Sequence, residues 1–447
     1  MSNTEVDPTE LRCGTASDEE PARGGPQVEV LSARDVPLGG PRAMTVRRTL
    51  PQRARTLIGA WCFADHYGPD DVARTGGMDV APHPHTGLQT VSWLFSGEIE
   101  HRDSLGTHAF VAPGELNLMT GGHGISHSEV STTGTTVLHG VQLWLALPDG
   151  HRATAGRFEH HVPSAIPLDG GEARVFLGSL AGDTSPVPTF SPLLGAELTL
   201  EPRAETTLAI DPGFEHGLLV DQGDVVMAGT PLRPSELGYL APGGATLTLK
   251  NPTDRAARMI LLGGAPFEEQ IVMWWNFVAR SHDEIVQARE AWQNASDRFG
   301  RVDGYDGDRL LAPALPNATI TPRRNPRSRP HGRSPMTQSS SPVVERVDDK
   351  CRYEILVDGE LAGFAAFRDR GAQRVFHHTE IDDAYAGQGL ASHLVQQALT
   401  DTRNAGKRIV PVCTYVAKFL QKHDDFADGT DPVTDDVRTW IGSVLGN

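Results

Sequence analysis

The chain has no pair of cysteines close enough to chelate a metal together. Its four cysteines, Cys13, Cys62, Cys351 and Cys413, lie far apart with no CxxC spacing. That excludes a cysteine zinc finger and a disulfide scaffold, and leaves reduced thiols as the expected state. Long apolar runs are also missing: Val141 to Leu147 is among the longest, far short of the roughly 20 residues that cross a bilayer. The opening residues, MSNTEVDPTELRCG, carry neither a basic nor an apolar region, so no signal peptide is expected. Positive charge is scarce, with 40 Lys and Arg against 57 Asp and Glu and a net charge of -17. This balance argues against general binding to nucleic acid, which needs a positive face toward phosphate. The expectation is a cytoplasmic protein with no membrane segment and no direct nucleic-acid partner.

What is present is ordinary globular composition, 38% apolar and 22% charged, over 447 residues. That length exceeds a single hydrophobic core and predicts several domains. Residues 1–26 lack apolar periodicity and read as a disordered acidic tail. Short runs rich in Val, Ile, Leu, Thr and Phe follow, among them LQTVSWLF, GELNLMT, TVLHGVQLWLAL and GLLVDQGDVVMAG, with Gly, Pro, Asp and Asn between them. Closely spaced strands of this kind predict an all-β fold, economically two β-barrels in tandem over 27–162 and 163–302. SHDEIVQAREAWQNASDRF switches to helical spacing, with Ser281 and Glu284 as a capping box, and closes the β region. Residues 303–342, rich in Pro, Ser and Arg, read as a disordered linker. Residues 343–447 alternate strands and helices and form a small α/β domain. There a hairpin turns at Asp358-Gly359, RVFHHTEI is a third strand, Gly389 to Ala405 a helix, RIVPVCTYV a buried strand and Val416 to Lys422 a short helix.

Chemistry concentrates before and after one β stretch. His83 and His85 are two apart, as are His127 and Glu129, and residues two apart on a strand share a face. Facing pairs would supply three nitrogens and one carboxylate. This set leaves open metal positions and suits iron, manganese, nickel or copper better than structural zinc. His101 and His123 lie nearby in sequence and read as polar rim residues, with an outer partner of the ligands or a proton donor as the alternative. The second barrel offers His216 without a comparable pair, so no metal is expected there.

The segment APHPHTGLQTVSWLFSGEIEHRDSLGTHAFVAPGELNLMTGGHGISHSE resembles the pirin family of the cupin superfamily, as do LHGVQLWLALP and LLGGAPFEEQIVMWWNFVARSHDEIVQA. The likeness spans about 40–300 and implies a bicupin. It also implies that His83, His85, His127 and Glu129 hold a single metal, iron first. Many pirins carry Glu where this chain has Gln89, so an acid-base role at that position is not expected here. The resemblance implies one of two functions. One is quercetin 2,3-dioxygenase-type cleavage of a flavonol-like small molecule with dioxygen, with Glu129 as base. The other is a non-enzymatic, iron-dependent regulator acting on a transcription factor or metabolic enzyme by protein contact.

In the C-terminal domain a glycine-rich turn, Ala386 to Ala391, opens a helix, an arrangement that can present backbone N–H groups to phosphate. The segment FHHTEIDDAYAGQGLASHLVQQALTDTRNAGKRIVPVCTYVAKFLQKH resembles the GNAT acetyltransferases over about 343–430. The resemblance implies that Gly387, Gln388, Gly389, Leu390 and Ala391 cradle the pyrophosphate of acetyl-CoA, with Ala386 replacing the usual Gln or Arg. It implies Tyr415 as proton donor to the CoA thiolate and offers Glu380 as base. Each has an equally good reading as a packed aromatic or a surface charge. Cys413 reads as core, and the acetyl acceptor is not legible.

Overall fold

The computed structural model describes residues 28–38, 44–52, 54–316, 319–322, 342–357, 360–381, 385, 390–421 and 423–445. It divides into two compact units, Met1–Asn325 and Pro326–Asn447. The first unit holds two β-barrels. In one, a seven-stranded sheet runs in the order Arg157–His161, Leu116–Thr120, Leu88–Ser96, Val137–Ala146, Trp61–Asp71, Met44–Leu50, Arg34–Leu38. Its companion is a four-stranded sheet of Asp79–His85, Ile125–Ser131, Ile99–Asp103 and His108–Val111. The other barrel repeats the plan, with a seven-stranded sheet centred on Glu215–Gln222, Ala257–Gly264 and Leu193–Leu200 and a four-stranded one around Thr246–Lys250.

The strands LQTVSWLFS and VLHGVQLWLA are buried along nearly their whole length. Apolar residues on both faces explain why they read as continuous hydrophobic runs instead of alternating ones. One face fills the barrel and the other meets the second barrel. There Trp61, Trp93, Leu118, Val141 and Leu143 share a core with Phe176, Leu177, Leu219, Ile260 and Leu262. Each such large side chain contributes about 1.5–3 kcal/mol on burial. Polar atoms in this seam are paired: Trp61 Nε1 donates to Gly263 O at 3.1 Å, and Trp93 Nε1 to Glu197 Oε2 at 2.6 Å. The two backbones also touch at Gly59, which has φ +51° and where a Cβ would lie 2.6 Å from Gly264 Cα.

Two segments depart from the sequence reading. Glu29–Leu31, expected in the first barrel, pairs with Leu237–Tyr239 at the edge of the second barrel's sheet. The first part of the expected linker, from 303, is packed on the first unit. Tyr305 Oη donates to Asp79 Oδ1 at 2.9 Å, Leu310 N to Pro82 O at 2.9 Å, and Trp292 Nε1 to Leu310 O at 2.7 Å. Ala312 is buried in the same cluster, with Leu310 and Leu315 against it. Leu310, Ala312 and Leu315 thus anchor this strap on the cluster around the closing helix, and the hydrogen bonds of Tyr305 and Leu310 tie it to the strand that carries His83 and His85. The rest of the expected linker, 323–341, and the expected tail, 1–26, lie outside the described residues.

The second unit is a five-stranded sheet in the order Val343–Val347, Arg352–Val357, Glu360–Arg370, Gln373–Ile381, Arg408–Pro411. Its last pair is parallel, which requires a crossover, supplied by the helix Leu390–Asn404. That helix buries Leu390, Leu394, Val395, Ala398 and Leu399, one face at helical spacing. The strand expected over 408–416 stops at Pro411, which has no N–H to continue a ladder, and Thr414–Leu420 is already helical. The turn at Asp358-Gly359 lies outside the described residues.

Two measurements follow from these contacts. Arg48 and Asp65 form a fully buried bidentate pair at 2.7 and 2.8 Å. Asp65→Ala leaves the guanidinium buried and uncompensated, and should lower the free energy of urea unfolding by roughly 3–5 kcal/mol. Arg48→Met/Asp65→Leu should cost clearly less; an equal cost would contradict the burial argument. In the second barrel, burial pushes the His216 imidazole down to about 4, from an ordinary value near 6.5. As pH falls through about 6.5 the unfolded chain takes up a proton that the folded protein refuses. Stability present above that pH is therefore lost down to about pH 4, on the order of 3 kcal/mol for this residue. His216→Gln should flatten part of the fall in Tm between those pH values, and identical slopes would refute the assignment.

Candidate metal centre

Strands Asp79–His85 and Ile125–Ser131 are antiparallel neighbours, with His127 opposite His83. The register slips between His127 and Glu129, and such a bulge re-aims the side chains beside it. His83, His85, His127 and Glu129 are each 0% exposed. One nitrogen from each of His83, His85 and His127 falls within 4.8 Å of the others. Glu129 stands one step out, sharing that spacing with His127 and His101 instead. Its Oε1 lies 3.1 Å from Ser92 Oγ, which is also 3.0 Å from Gln142 Oε1. A hydroxyl has one proton to give. Turning the Gln142 amide lets Nε2, otherwise without a partner, donate to Ser92 and frees the Ser92 proton for Glu129.

The outer hydrogen bonds aim the imidazoles inward. His83 Nδ1 donates to Ala81 O at 2.9 Å, which leaves a lone pair on Nε2. His127 Nδ1 meets His101 Nδ1 at 3.4 Å, and His101 Nε2 meets Asp103 Oδ2 at 3.4 Å. Asp103 is fixed in turn, its Oδ1 accepting from Leu105 N at 2.8 Å and Thr107 N at 3.0 Å. This chain from carboxylate to imidazole sets the tautomer of His127 so that Nε2 faces His85 Nε2, 3.1 Å away. Carboxylate-backed imidazoles are a common support for metal ligands. His101 is therefore buried and engaged rather than a rim residue. His123 is exposed and contributes a backbone carbonyl to Arg298. Gln89 is buried and donates to Thr120 Oγ1 at 2.9 Å, which accounts for an amide at that position.

The donor set fits a metal ion on two counts. Burial pushes His83, His85 and His127 well below their ordinary values, so all three are neutral and available as ligands at pH 7. His83 Nε2 is a buried acceptor with no hydrogen-bond partner, a state that costs about 1–3 kcal/mol if nothing fills it. Two nitrogens about 2.1 Å from one ion and at right angles would lie about 3 Å apart, close to the His85–His127 separation. Trp144, stacked on Phe63 at 4.0 Å, closes one wall edge-on to His85.

In the second unit, Leu390 and Ala391 open the helix Leu390–Asn404, while Ala386, Gly387, Gln388 and Gly389 lie outside the described residues. Tyr415 is 38% exposed, and its hydroxyl is 3.1 Å from Ser392 Oγ in the first turn of that helix. Glu380 is exposed and pairs with His378 at 3.2 Å. Cys413 is buried, its thiol 3.4 Å from Thr379 Oγ1. A second cluster of imidazoles and carboxylate, His66, His139 and Asp221, was not visible in the sequence, where its members are widely separated.

Comparison with known proteins agrees with this architecture. The family model Pirin matches residues 43–145, and Pirin C-terminal cupin domain matches 195–300. GCN5-related N-acetyl-transferase matches 352–429. A Pseudomonas aeruginosa protein named as a putative quercetin 2,3-dioxygenase is 44% identical over 71% of this chain and 98% of its own length. Human Pirin is 30% identical over 51% of this chain and 80% of its own. The crystal structure of an Acinetobacter baumannii quercetin 2,3-dioxygenase superposes with a TM-score of 0.62 at 39% identity, covering 65% of this chain and 96% of that one. The chain thus belongs to the pirin family, as a bicupin extended by a GNAT-like acetyltransferase domain.

Proposed function

We propose that the first barrel is a metal-dependent oxidoreductase of the quercetin 2,3-dioxygenase type, and that the C-terminal unit is an acetyl-CoA-dependent acyltransferase. The observation that carries the first reading is the convergence of three buried, neutral imidazoles beside Glu129. His83, His85, His127 and Glu129 would hold one ion, iron first, with manganese, nickel and copper also suited to three nitrogens and an oxygen. The metal would supply open positions for adjacent flavonol oxygens and for dioxygen, whose reaction opens the heterocycle and releases carbon monoxide.

The protein's own share is orientation and proton handling. Asp103 and His101 hold His127 in its ligating tautomer. Glu129, hydrogen-bonded to Ser92, would also swing to take the proton of the flavonol hydroxyl. The buried aromatic wall of Trp144 and Phe63 would keep bulk water from the reacting centre. Free cysteines at Cys62, Cys351 and Cys413 accord with a cytoplasmic location. Among the described residues no helix is long and apolar enough to cross a membrane.

Metal analysis and quercetin-dependent oxygen uptake test the reading on wild type beside His83→Ala and Glu129→Ala. Each variant should lose about one metal equivalent relative to wild type, together with oxygen uptake. Metal bound without oxygen uptake in wild type would transfer the site to the regulatory role, in which iron governs contact with a partner protein. A wild type without metal would contradict both.

In the acyltransferase unit, the loop Gly387 to Ala391 would bind the pyrophosphate of acetyl-CoA at the start of a helix. Tyr415, beside Ser392 in that helix's first turn, would protonate the departing thiolate. With a panel of primary amines as acceptors, Tyr415→Phe should lower the rate of CoA release about a hundredfold with little change in KM for acetyl-CoA. An unchanged rate would remove Tyr415 from the chemistry, and no CoA release by wild type would sink the acyltransferase reading.

A further inference from the structure

The seam between the barrels contains a second constellation that the proposed dioxygenase centre does not use. His66 lies on the strand Trp61–Asp71 and His139 on Val137–Ala146, both in the first barrel. Asp221 lies on Glu215–Gln222 of the second. Asp221 Oδ1 is 2.8 Å from His66 Nε2 and 2.6 Å from His139 Nε2, and the two nitrogens are 3.3 Å apart. The side chains of His66 and Asp221 are 2% and 1% exposed and that of His139 10%. We propose that His66, His139 and Asp221 form a second divalent transition-metal site that ties the two barrels together.

Four observations support it. First, two imidazole nitrogens and one carboxylate oxygen converge within 3.3 Å of one another. A two-His, one-carboxylate set with open positions suits Fe(II) and its neighbours Co(II) and Ni(II).

Second, two of the three residues sit at breaks in their β-ladders. The register slips between Leu138 and Gly140 on one side of His139, and between Val220 and Gln222 around Asp221. Bulges gather where a strand must re-aim a side chain, and the proposed first centre has one beside Glu129.

Third, the outer hydrogen bonds orient the donors. Arg258 Nε holds Asp221 Oδ2 at 2.7 Å and leaves Oδ1 turned to the histidines. Ser235 Oγ lies 3.3 Å from His66 Nδ1, where it can accept that N–H and leave Nε2 as the ligating atom.

Fourth, the cluster lies one side-chain layer from the surface: Phe95 packs on His139 and Arg258 on Phe95, and both also line a surface cavity with Glu115 and Glu197.

Electrostatics sets the rank of the two sites. Arg258 pairs with one carboxylate oxygen, and Arg47 also acts on Asp221, against Glu197 and Asp35 on the acidic side. An ion here meets three protein ligands against four at the first centre, with Arg258 paired to the same carboxylate, so this site should fill second.

The test uses the full chain stripped with chelator and titrated with Co(II) chloride, read by equilibrium dialysis and visible absorption. Wild type should take up about two Co(II) per chain, and His139→Gln about one. In His83→Ala/Glu129→Ala, where the first centre is dismantled, about one should remain, with ligand-field bands and a raised Tm; adding Asp221→Asn should abolish all three. Far-UV circular dichroism of the metal-free variants establishes that each is folded. No uptake in a folded His83→Ala/Glu129→Ala protein would overturn the proposal, as would uptake indifferent to both His139→Gln and Asp221→Asn. Wild type binding a single Co(II) that His83→Ala removes would leave the first centre standing and refute the second.

Discussion

Three buried imidazoles facing one another inside one barrel impose the constraint on which the first centre depends. Burial keeps His83, His85 and His127 uncharged, and protonating one would place a cation against its neighbours in a medium that screens poorly. Hydrogen bonds alone do not satisfy the cluster, since His83 Nε2 is a buried acceptor with no donor. The surroundings are arranged to hold this configuration. Ala81 and the His101–Asp103 pair fix tautomers from behind. Tyr305 and Leu310 then clamp the strand Asp79–His85 from the far side. A strap that looks like the start of a linker thus braces the strand carrying two of the ligands.

The seam between barrels is the second organising element. Its apolar core supplies most of the association, while Trp61, Trp93 and Glu197 remove the polar mismatches within it. Because strands such as Leu88–Ser96 serve both the metal barrel and the seam, changes at the seam bear on the site through shared strands. The cluster of His66, His139 and Asp221 lies in that seam, where a change of charge or ligation would bear on both barrels.

Much of this was legible in the sequence because strands have a period of two. His83 with His85, and His127 with Glu129, announce shared faces by spacing alone, and the surrounding motifs carry the pirin likeness. The support of His127 was not legible: His101 and Asp103 lie in a polar stretch that reads as rim, and only the pairing of Ile99–Asp103 with Ile125–Ser131 brings them under the ligand. Composition misplaced the strap at 303–316, since its apolar anchors Leu310, Ala312 and Leu315 stand in a short stretch rich in Pro, Gly and Asp. His66 and Asp221 are 155 positions apart, and no local pattern carries a contact between barrels. In the C-terminal unit, Pro411 ends a strand that hydrophobicity alone extends to Val416.

The central claim is that the cluster at His83, His85, His127 and Glu129 is a metal centre. Crystals of protein loaded with iron, with diffraction recorded on either side of the iron absorption edge, test it directly. The account predicts an anomalous peak within about 2.0–2.2 Å of His83 Nε2, His85 Nε2, His127 Nε2 and a carboxylate oxygen of Glu129. No peak among these four side chains, with iron bound elsewhere or not at all, would contradict it.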